Sequence, residues 1–148
     1  MEITANAVQT VLANQNVIFT DNVVCGSASI MHRADSGLVT LRGLTNQCRA
    51  RFRVSFGGNI AIPTGGTVEA ISLAISLDGE PIGPTTMIVT PAAVENFFNV
   101  SSDIFIDVPK GCCFTVSVEY VSGNVDDVTT PTPTINVVDG SLSVRRTA

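Results

Sequence analysis

The sequence predicts an all-β fold, a sandwich or jelly roll of antiparallel strands, from three observations. Apolar residues recur at every second position in several segments, as in ISLAISL (Ile71 to Leu77), and this is the period of a strand with one buried face. Gly, Pro, Asn and Asp interrupt the chain between these segments. Helical periodicity is nearly absent, and about eight to ten short strands at this spacing are typical of a sandwich or jelly roll.

The first half of the chain alternates strand segments with turn signals. In order, the predicted strands are Ala7–Leu12, Asn16–Thr20, Ser27–Arg33, Gly37–Gly43 and Cys48–Phe56. The last of them, CRARFRVSF, places apolar residues between Arg49, Arg51 and Arg53. Because side chains alternate across a strand, the three arginines are predicted to share one face.

The second half continues the same pattern. Its predicted strands are Ile71–Leu77, Thr85–Thr90, Phe97–Val108, Cys113–Val121 and Ser141–Arg146, with the short segment INVV before the last. The pair Asp78-Gly79 predicts a tight turn directly after Leu77. A loop rich in Gly, Asn, Asp, Thr and Pro is expected over Ser122–Thr134.

The strand Ile71–Leu77 has an unusual second face. Its alternate residues are Ala70, Ser72, Ala74 and Ser76, which are all small and uncharged. A strand that faces water normally carries charged or larger polar residues there. We expect a neutral, flat exterior, and the alternative is a face packed on a second surface, such as that of a neighbouring copy.

The composition predicts a single domain, 1–148, with 1–6 as a possible N-terminal arm. Hydrophobic residues make up 45% of the 148 residues and charged residues 14%, against about 25% charged in soluble domains. We therefore expect partner subunits to cover much of the surface. The alternative is a surface rich in Ser, Thr and Asn, which is soluble without charge.

Several classes of partner and site are disfavoured by the sequence. The net charge of −5 argues against nucleic acid, and no apolar stretch of about 18 residues exists that would span a membrane. The N-terminus lacks the basic and apolar regions of a signal peptide, so synthesis in a reducing compartment is expected. In that reducing compartment, the four cysteines are expected to be small buried thiols.

Nothing in the sequence marks an active site, and we expect no enzyme activity and no cofactor. Nucleophilic catalysis needs a base beside a Ser or Cys, yet His32 is the single histidine and no Gly-x-Ser-x-Gly turn exists. No metal site is expected, because His32 cannot complete a usual zinc set and Asp126-Asp127 is interpreted as a solvated turn. An unrecognised hydrolase is the least favoured interpretation.

The order of elements resembles the tumour-necrosis-factor-like jelly roll. The resemblance is carried by QTVLANQNVIF, GLVTLRGLTNQCRARFRVSF, ISLAISLDGEPI, FIDVPKGCCFTVSVEYVSGN and SLSVRR, and it covers about Ala7 to Arg146. It is closest to the C-terminal domains of spore-surface collagen-like glycoproteins and to small phage and prophage structural proteins. This chain has no Gly-x-y stalk, and a free-standing unit beginning at Met1 is expected to be a phage structural protein.

The resemblance implies a homotrimer whose three-fold interface is built by one inner sheet. That sheet would contain Ala7–Leu12, Cys48–Phe56, Phe97–Val108 and Ser141–Arg146. The candidate interface residues are Arg49, Arg51, Arg53, Phe97, Asn99, Asp103, Phe105, Ser143 and Arg145. Asp103 is the expected partner of the arginines, within a subunit or across the axis. The alternative is a solvated stripe of arginines that contributes little.

The first functional hypothesis is therefore a non-enzymatic bacteriophage virion protein. It would decorate the capsid or form a head fibre, and it would act by adhesion to the major capsid protein or another virion protein. The second is a trimeric receptor- or glycan-binding knob of a phage tail or of a bacterial or spore surface, with loops such as Ser122–Thr134 at its tip. The segment MEITANAVQT is a candidate arm for the first role.

Overall fold

The computed structural model describes residues 1–66, 68–121 and 134–148. These residues form two antiparallel sheets and one short 3-10 helix, Gly83–Thr85. The strands are β1 (Glu2–Ala5), β2 (Gln9–Leu12), β3 (Asp21–Val24), β4 (Ile30–His32), β5 (Val39–Arg42), β6 (Arg49–Ala61), β7 (Ile71–Leu77), β8 (Glu80–Pro81), β9 (Met87–Val89), β10 (Phe98–Pro109), β11 (Cys113–Tyr120) and β12 (Thr134–Arg146). The predicted all-β fold is confirmed. In the described ranges, no helix has the length and apolar character needed to cross a bilayer.

The first sheet has the strand order β10-β6-β12-β1-β3, and β2 also pairs with β12. It contains the four segments that the resemblance assigns to one inner sheet. All of its pairs are antiparallel, and the longest ladder joins β10 to β6 from Phe98–Ile60 to Pro109–Arg49. In β12 the register shifts between Val138 and Ser141, which is the position of a β-bulge.

The second sheet has the order β4-β5-β11-β7-β8, and β9 also pairs with β7. The hairpin between β7 and β8 turns at Asp78 and Gly79, which both have positive φ angles, 52° and 86°. This is the backbone that an Asp-Gly pair favours in a two-residue hairpin, so the predicted tight turn is confirmed. The Asp78 carboxylate accepts a hydrogen bond of 2.8 Å from the backbone N–H of Thr115, which ties the turn to β11.

The core lies between the inward faces of the two sheets. Phe52 and Leu142 contribute fully buried side chains from the first sheet, and Leu73 and Ile75 do so from the second. The rings of Phe19 and Phe56 meet edge to face with their centroids 6.4 Å apart, a geometry that aromatic pairs prefer. The alternation seen in the sequence therefore does separate core residues from surface residues.

Two N-terminal segments differ from the sequence-based expectation. Residues 1–6, which the sequence left open as an arm, contain β1, and this strand pairs with β12 on one side and β3 on the other. The predicted strand Asn16–Thr20 forms only isolated bridges, from Asn16 to Glu119 and from Phe19 to Ser36. Phe19 is nevertheless fully buried. The apolar pattern of this segment therefore indicates burial in the core, although the segment does not pair as a continuous strand.

The expectation that the small face of β7 is a neutral exterior is wrong for Ala74 and Ser76, whereas Ala70 is exposed and Ser72 is half-buried. Ala74 and Ser76 each have 0% of their surface exposed within a single chain. The Ser76 hydroxyl donates a hydrogen bond of 2.9 Å to the carboxylate of Glu119, which is itself buried on β11. At Ala74 and Ser76 the small side chains therefore lie on a part of the face that is covered.

The expectation of buried thiols is also wrong. All four cysteines, Cys25, Cys48, Cys112 and Cys113, are free and exposed. Each lies in a turn or at the extreme end of a strand, where alternation no longer determines burial. The predicted loop Ser122–Thr134 and the Asp126-Asp127 turn lie outside the described residues, apart from Thr134, which begins β12.

Candidate functional site

The predicted interface residues from β6, β10 and β12 project from the outer side of the first sheet. On β6, Arg49, Arg51 and Arg53 alternate with Ala50 and Phe52, which are fully buried. The same alternation exposes Phe105 on β10 and Arg145 on β12, and the residue that precedes each of them on its strand is buried or half-buried. We call this surface the arginine face and define it as Arg49, Arg51, Arg53, Asp103, Phe105, Asp107 and Arg145.

The strand register brings these side chains together in rows. One row runs from Phe105 on β10 through Arg53 on β6 to Arg145 on β12. Asp107 lies opposite Arg51 in the row nearer the start of β6. Because side chains directly opposite each other in an antiparallel pair have Cβ atoms about 5 Å apart, these residues form one surface.

Two aspartates hold the arginines of β6. The Arg51 guanidinium donates two hydrogen bonds to Asp107, of 2.8 and 3.1 Å, in a bidentate pair. Arg49 also lies 3.3 Å from the Asp107 carboxylate. Arg53 pairs with Asp103 through a 3.1 Å bond from its Nε. Asp103 was the expected partner and binds within the chain, whereas the role of Asp107 was missed.

The pair of Arg51 and Asp107 shifts the pKa of both side chains. The hydrogen bond from Arg51 lowers the pKa of the Asp107 carboxyl, and the charge of Arg49 lowers it further. The same pair raises the pKa of Arg51. Asp107 therefore stays ionised at neutral pH and holds the neighbouring guanidinium groups in fixed directions.

Phe105 is an aromatic side chain at the centre of these charges. It is 55% exposed, and the Arg53 guanidinium carbon lies 5.5 Å from the centroid of its ring. This geometry is a cation–π contact. The ring is thus positioned on the surface by Arg53, and Arg53 is positioned in turn by Asp103.

Arg145 differs from the other arginines of this face. It lies directly opposite Arg53 in the ladder between β12 and β6. Among the described residues it takes part in no ion pair. Like charges directly opposite each other destabilise a sheet, so this corner of the arginine face favours an anionic group from outside the chain.

The remaining predicted interface residues lie further along the same side. Ser143 is opposite Ser55, and Asn99 donates a hydrogen bond of 3.2 Å to Asn59. Phe97 is exposed and directly precedes β10. Asn99 and Phe105 are six positions apart on one strand, which corresponds to about 20 Å. The nine predicted residues therefore occupy one elongated side of the sheet rather than one compact cluster.

The described residues contain no group of metal-ligating side chains. His32 lies on β4, and its two ring nitrogens contact the Asn22 side-chain oxygen and the Ser36 carbonyl. It is therefore engaged in fixing β4 to its neighbours. The arginine face can therefore recognise another molecule through its arginine–aspartate pairs, through the cation of Arg145 and through the aromatic ring of Phe105.

Neither a known protein family nor a curated protein matches the sequence. Among solved structures, the chain is similar to the globular domain of zebrafish complement 1qA protein, with 14% identity and a TM-score of 0.59 over 94% of this chain and 92% of that one. It is also similar to murine APRIL, with 10% identity and a TM-score of 0.53 over 93% of this chain and 97% of that one.

The fold is a jelly roll of the tumour-necrosis-factor-like type. The C-terminal domain of EclA, a sugar-binding protein, has 15% identity and a lower TM-score of 0.43 over 95% of this chain and 79% of that one. At such identities the likenesses to the complement 1qA domain and to APRIL establish the architecture of the two sheets. The function has to be argued from the surface of this chain.

Proposed function

We propose that this protein is a non-enzymatic structural protein that assembles as a homotrimer through the arginine face. Its place is the surface of a phage virion, as a capsid decoration or head-fibre protein that acts by adhesion. The observation that carries the proposal is the exposed Phe105 ring, held among arginines that are already paired. Aromatic residues and arginine are the types enriched where subunits meet.

The ion pairs of the arginine face support association because they restrict the side chains beforehand. A free arginine loses rotamer entropy when it is immobilised at an interface. Arg51 and Arg53 are already held by Asp107 and Asp103 before any partner arrives. Association through these residues therefore loses less entropy than association through solvated arginines would.

The charge of the face supports a trimer over a two-fold dimer. The arginine face carries four arginines and two aspartates, so two copies of it stacked on each other would repel. A two-fold interface joins the same patch on both subunits, whereas a three-fold ring joins two different patches. A trimer thus lets the arginine face meet a different surface of the next copy, and the chain outside this face carries the excess of acidic residues that gives the net charge of −5.

The virion role rests on the resemblance of the sequence to small phage structural proteins. The major capsid protein or another virion protein would be the second partner, and no turnover is involved. Synthesis in the host cytoplasm fits this role. The low share of charged residues, 14%, supports a chain that is partly covered in its assembled form.

Sedimentation and light scattering of the purified chain test the assembly. We expect a mass of three chains for the wild type, and of one chain for Phe105→Asp, because this change removes the exposed ring and places a third carboxylate between Asp103 and Asp107 on β10. The matched control is Val23→Asp, since Val23 is 61% exposed on the edge strand of the same sheet. A wild type of one chain, or a trimeric Phe105→Asp, contradicts the proposal.

The virion role is tested by binding to empty capsids and to a glycan array. A capsid decoration protein should sediment with empty capsids and leave the glycans unbound. Glycan binding without capsid binding would identify a receptor knob instead. Detection of the chain in purified virions by mass spectrometry is the third measurement, and its absence there contradicts the virion role.

A further inference from the structure

Three of the four exposed thiols lie together at one end of the sandwich. Cys48 directly precedes β6, and its carbonyl accepts a hydrogen bond of 3.0 Å from the backbone N–H of Lys110. Lys110 begins the tight turn that contains Cys112, and Cys113 is the first residue of β11. We call Cys48, Cys112 and Cys113 the thiol end.

Cys25 lies apart from this group. It follows β3, which is the far edge of the first sheet, while β10 and β6 form the opposite edge. Three strand spacings separate β3 from β6, which is about 14 Å. Cys25 therefore provides a matched control for a thiol that is exposed on the same protein but outside the thiol end.

The exposure of these residues is contrary to the usual behaviour of cysteine. Cysteine is among the most buried residue types, yet none of these thiols packs in the core. Cys112 lies in the turn before β11, and Cys113 is the first residue of that strand. All three side chains of the thiol end are exposed, so they are accessible to another molecule.

The thiol end is also rich in cations. Arg42 lies opposite Cys113 in the ladder between β5 and β11, and Arg49 follows Cys48 directly. Lys110 lies in the same turn as Cys112. In a chain with a net charge of −5, this concentration of positive charge attracts small anions to the thiols.

We propose that the thiol end is a site at which assembled copies of this chain are joined by disulfide bonds. The second copy is the partner because Arg49 belongs to the arginine face and Cys48 is its direct neighbour, so the thiols lie at the border of the proposed interface. The inference rests on the proposed self-assembly. The thiols stay reduced in the cytoplasm and react once the assembly meets an oxidising medium.

The oxidant is a small disulfide such as glutathione disulfide, whose carboxylates suit the cationic surroundings. One thiolate attacks glutathione disulfide, which forms a protein–glutathione disulfide and releases one glutathione. A thiolate of the second copy then attacks the protein sulfur of that bond, forms the bond between chains and releases the second glutathione. Two protein thiols are oxidised and one glutathione disulfide is reduced to two thiols.

The test treats the reduced, purified chain with glutathione disulfide under native conditions and then blocks free thiols with an alkylating agent. Non-reducing electrophoresis should show covalent multimers that a reductant reverses. The variant Cys48→Ser/Cys112→Ser/Cys113→Ser should show none, and Cys25→Ser should show the wild-type yield. Glutathione adducts alone, bonds within one chain alone, or multimers that persist in the triple variant overturn the inference.

Two further measurements separate this inference from the proposed function. Light scattering of the reduced chain reports the assembly without any disulfide, so a reduced trimer that fails to cross-link overturns the thiol site and leaves the trimer intact. Phe105→Asp should cross-link far more slowly than the wild type, because its copies are no longer held side by side. An equal rate in this variant would mean that the thiols react by random collision, which overturns the inference.

Discussion

The outer sides of the two sheets are built on opposite principles. The outer side of the first sheet exposes arginines, aspartates and one phenylalanine to water. These side chains are held in place by contacts with each other. The second sheet carries Ala74, Ser76 and Ser117 on its corresponding side, and all three are buried. The charged side of the first sheet is open and available to a partner, while the small residues of the second sheet, with Glu119 among them, are already covered within one chain.

The comparison shows how a strand's second face should be interpreted. Charged residues at every second position identify a solvated face directly, since burying each charge would be costly. Small neutral residues do not identify an exterior, because Ala and Ser fit wherever two surfaces approach closely. The absence of charge on β7 was therefore evidence of burial on both sides of the strand.

The largest expected effect is that of Ile75→Asp, which tests the inward side of the second sheet. Ile75 is fully buried on β7, and an unpaired carboxylate there should cost about 4 kcal/mol or more. Circular dichroism and urea denaturation should show a largely unfolded chain. The control is Ile88→Asp on neighbouring β9, which is 68% exposed. A folded Ile75→Asp would mean that the faces are assigned the wrong way round.

Ser76→Ala tests the covered outer side of the same sheet. It removes the 2.9 Å hydrogen bond to Glu119 and leaves a buried carboxylate with one donor fewer. We expect a loss of about 1 to 3 kcal/mol in the free energy of unfolding. Ser55→Ala, at a position between Asp103 and Ser143 on the first sheet, should change it by less than about 0.5 kcal/mol. Equal losses of unfolding free energy in the two variants would contradict the difference between the covered side of the second sheet and the exposed side of the first.

The smallest expected effect is a dependence of stability on acid pH. Because the Arg51 hydrogen bond lowers the pKa of Asp107 in the folded chain, the pair stabilises the fold above the usual aspartate pKa of about 3.9. The stabilisation is lost as the pH falls through the folded pKa. Asp107→Asn should flatten this part of the curve of unfolding midpoint against pH, and identical curves would contradict the role of the pair.

Much of the fold could be predicted because the alternation of apolar and polar residues, and the sheet to which a strand belongs, can be recognised from a single segment of the sequence. The pattern around Phe52 and Val54 identified the core side of β6, and Asp78-Gly79 identified the turn after β7. The residues of the arginine face were placed on one side for the same reason. What alternation cannot give is the register between strands.

Register explains the missed ion pair. Asp107 and Asp103 lie on the same side of β10, and only the ladder places Asp107 opposite Arg51. β1 was missed because its four residues contain only two buried positions, Ile3 and Ala5. The cysteines were misjudged because they lie in turns or at the end of a strand, where composition alone suggests burial and local geometry decides otherwise.

The central place of β12 has a consequence for how the chain acquires its structure. This strand pairs with β6 on one side and with β1 and β2 on the other, so β1 and β2 cannot complete their ladders until β12, which lies far along the chain, has been synthesised. Such distant pairings slow folding. A nascent chain would therefore keep its first sheet incomplete until β12 has left the ribosome.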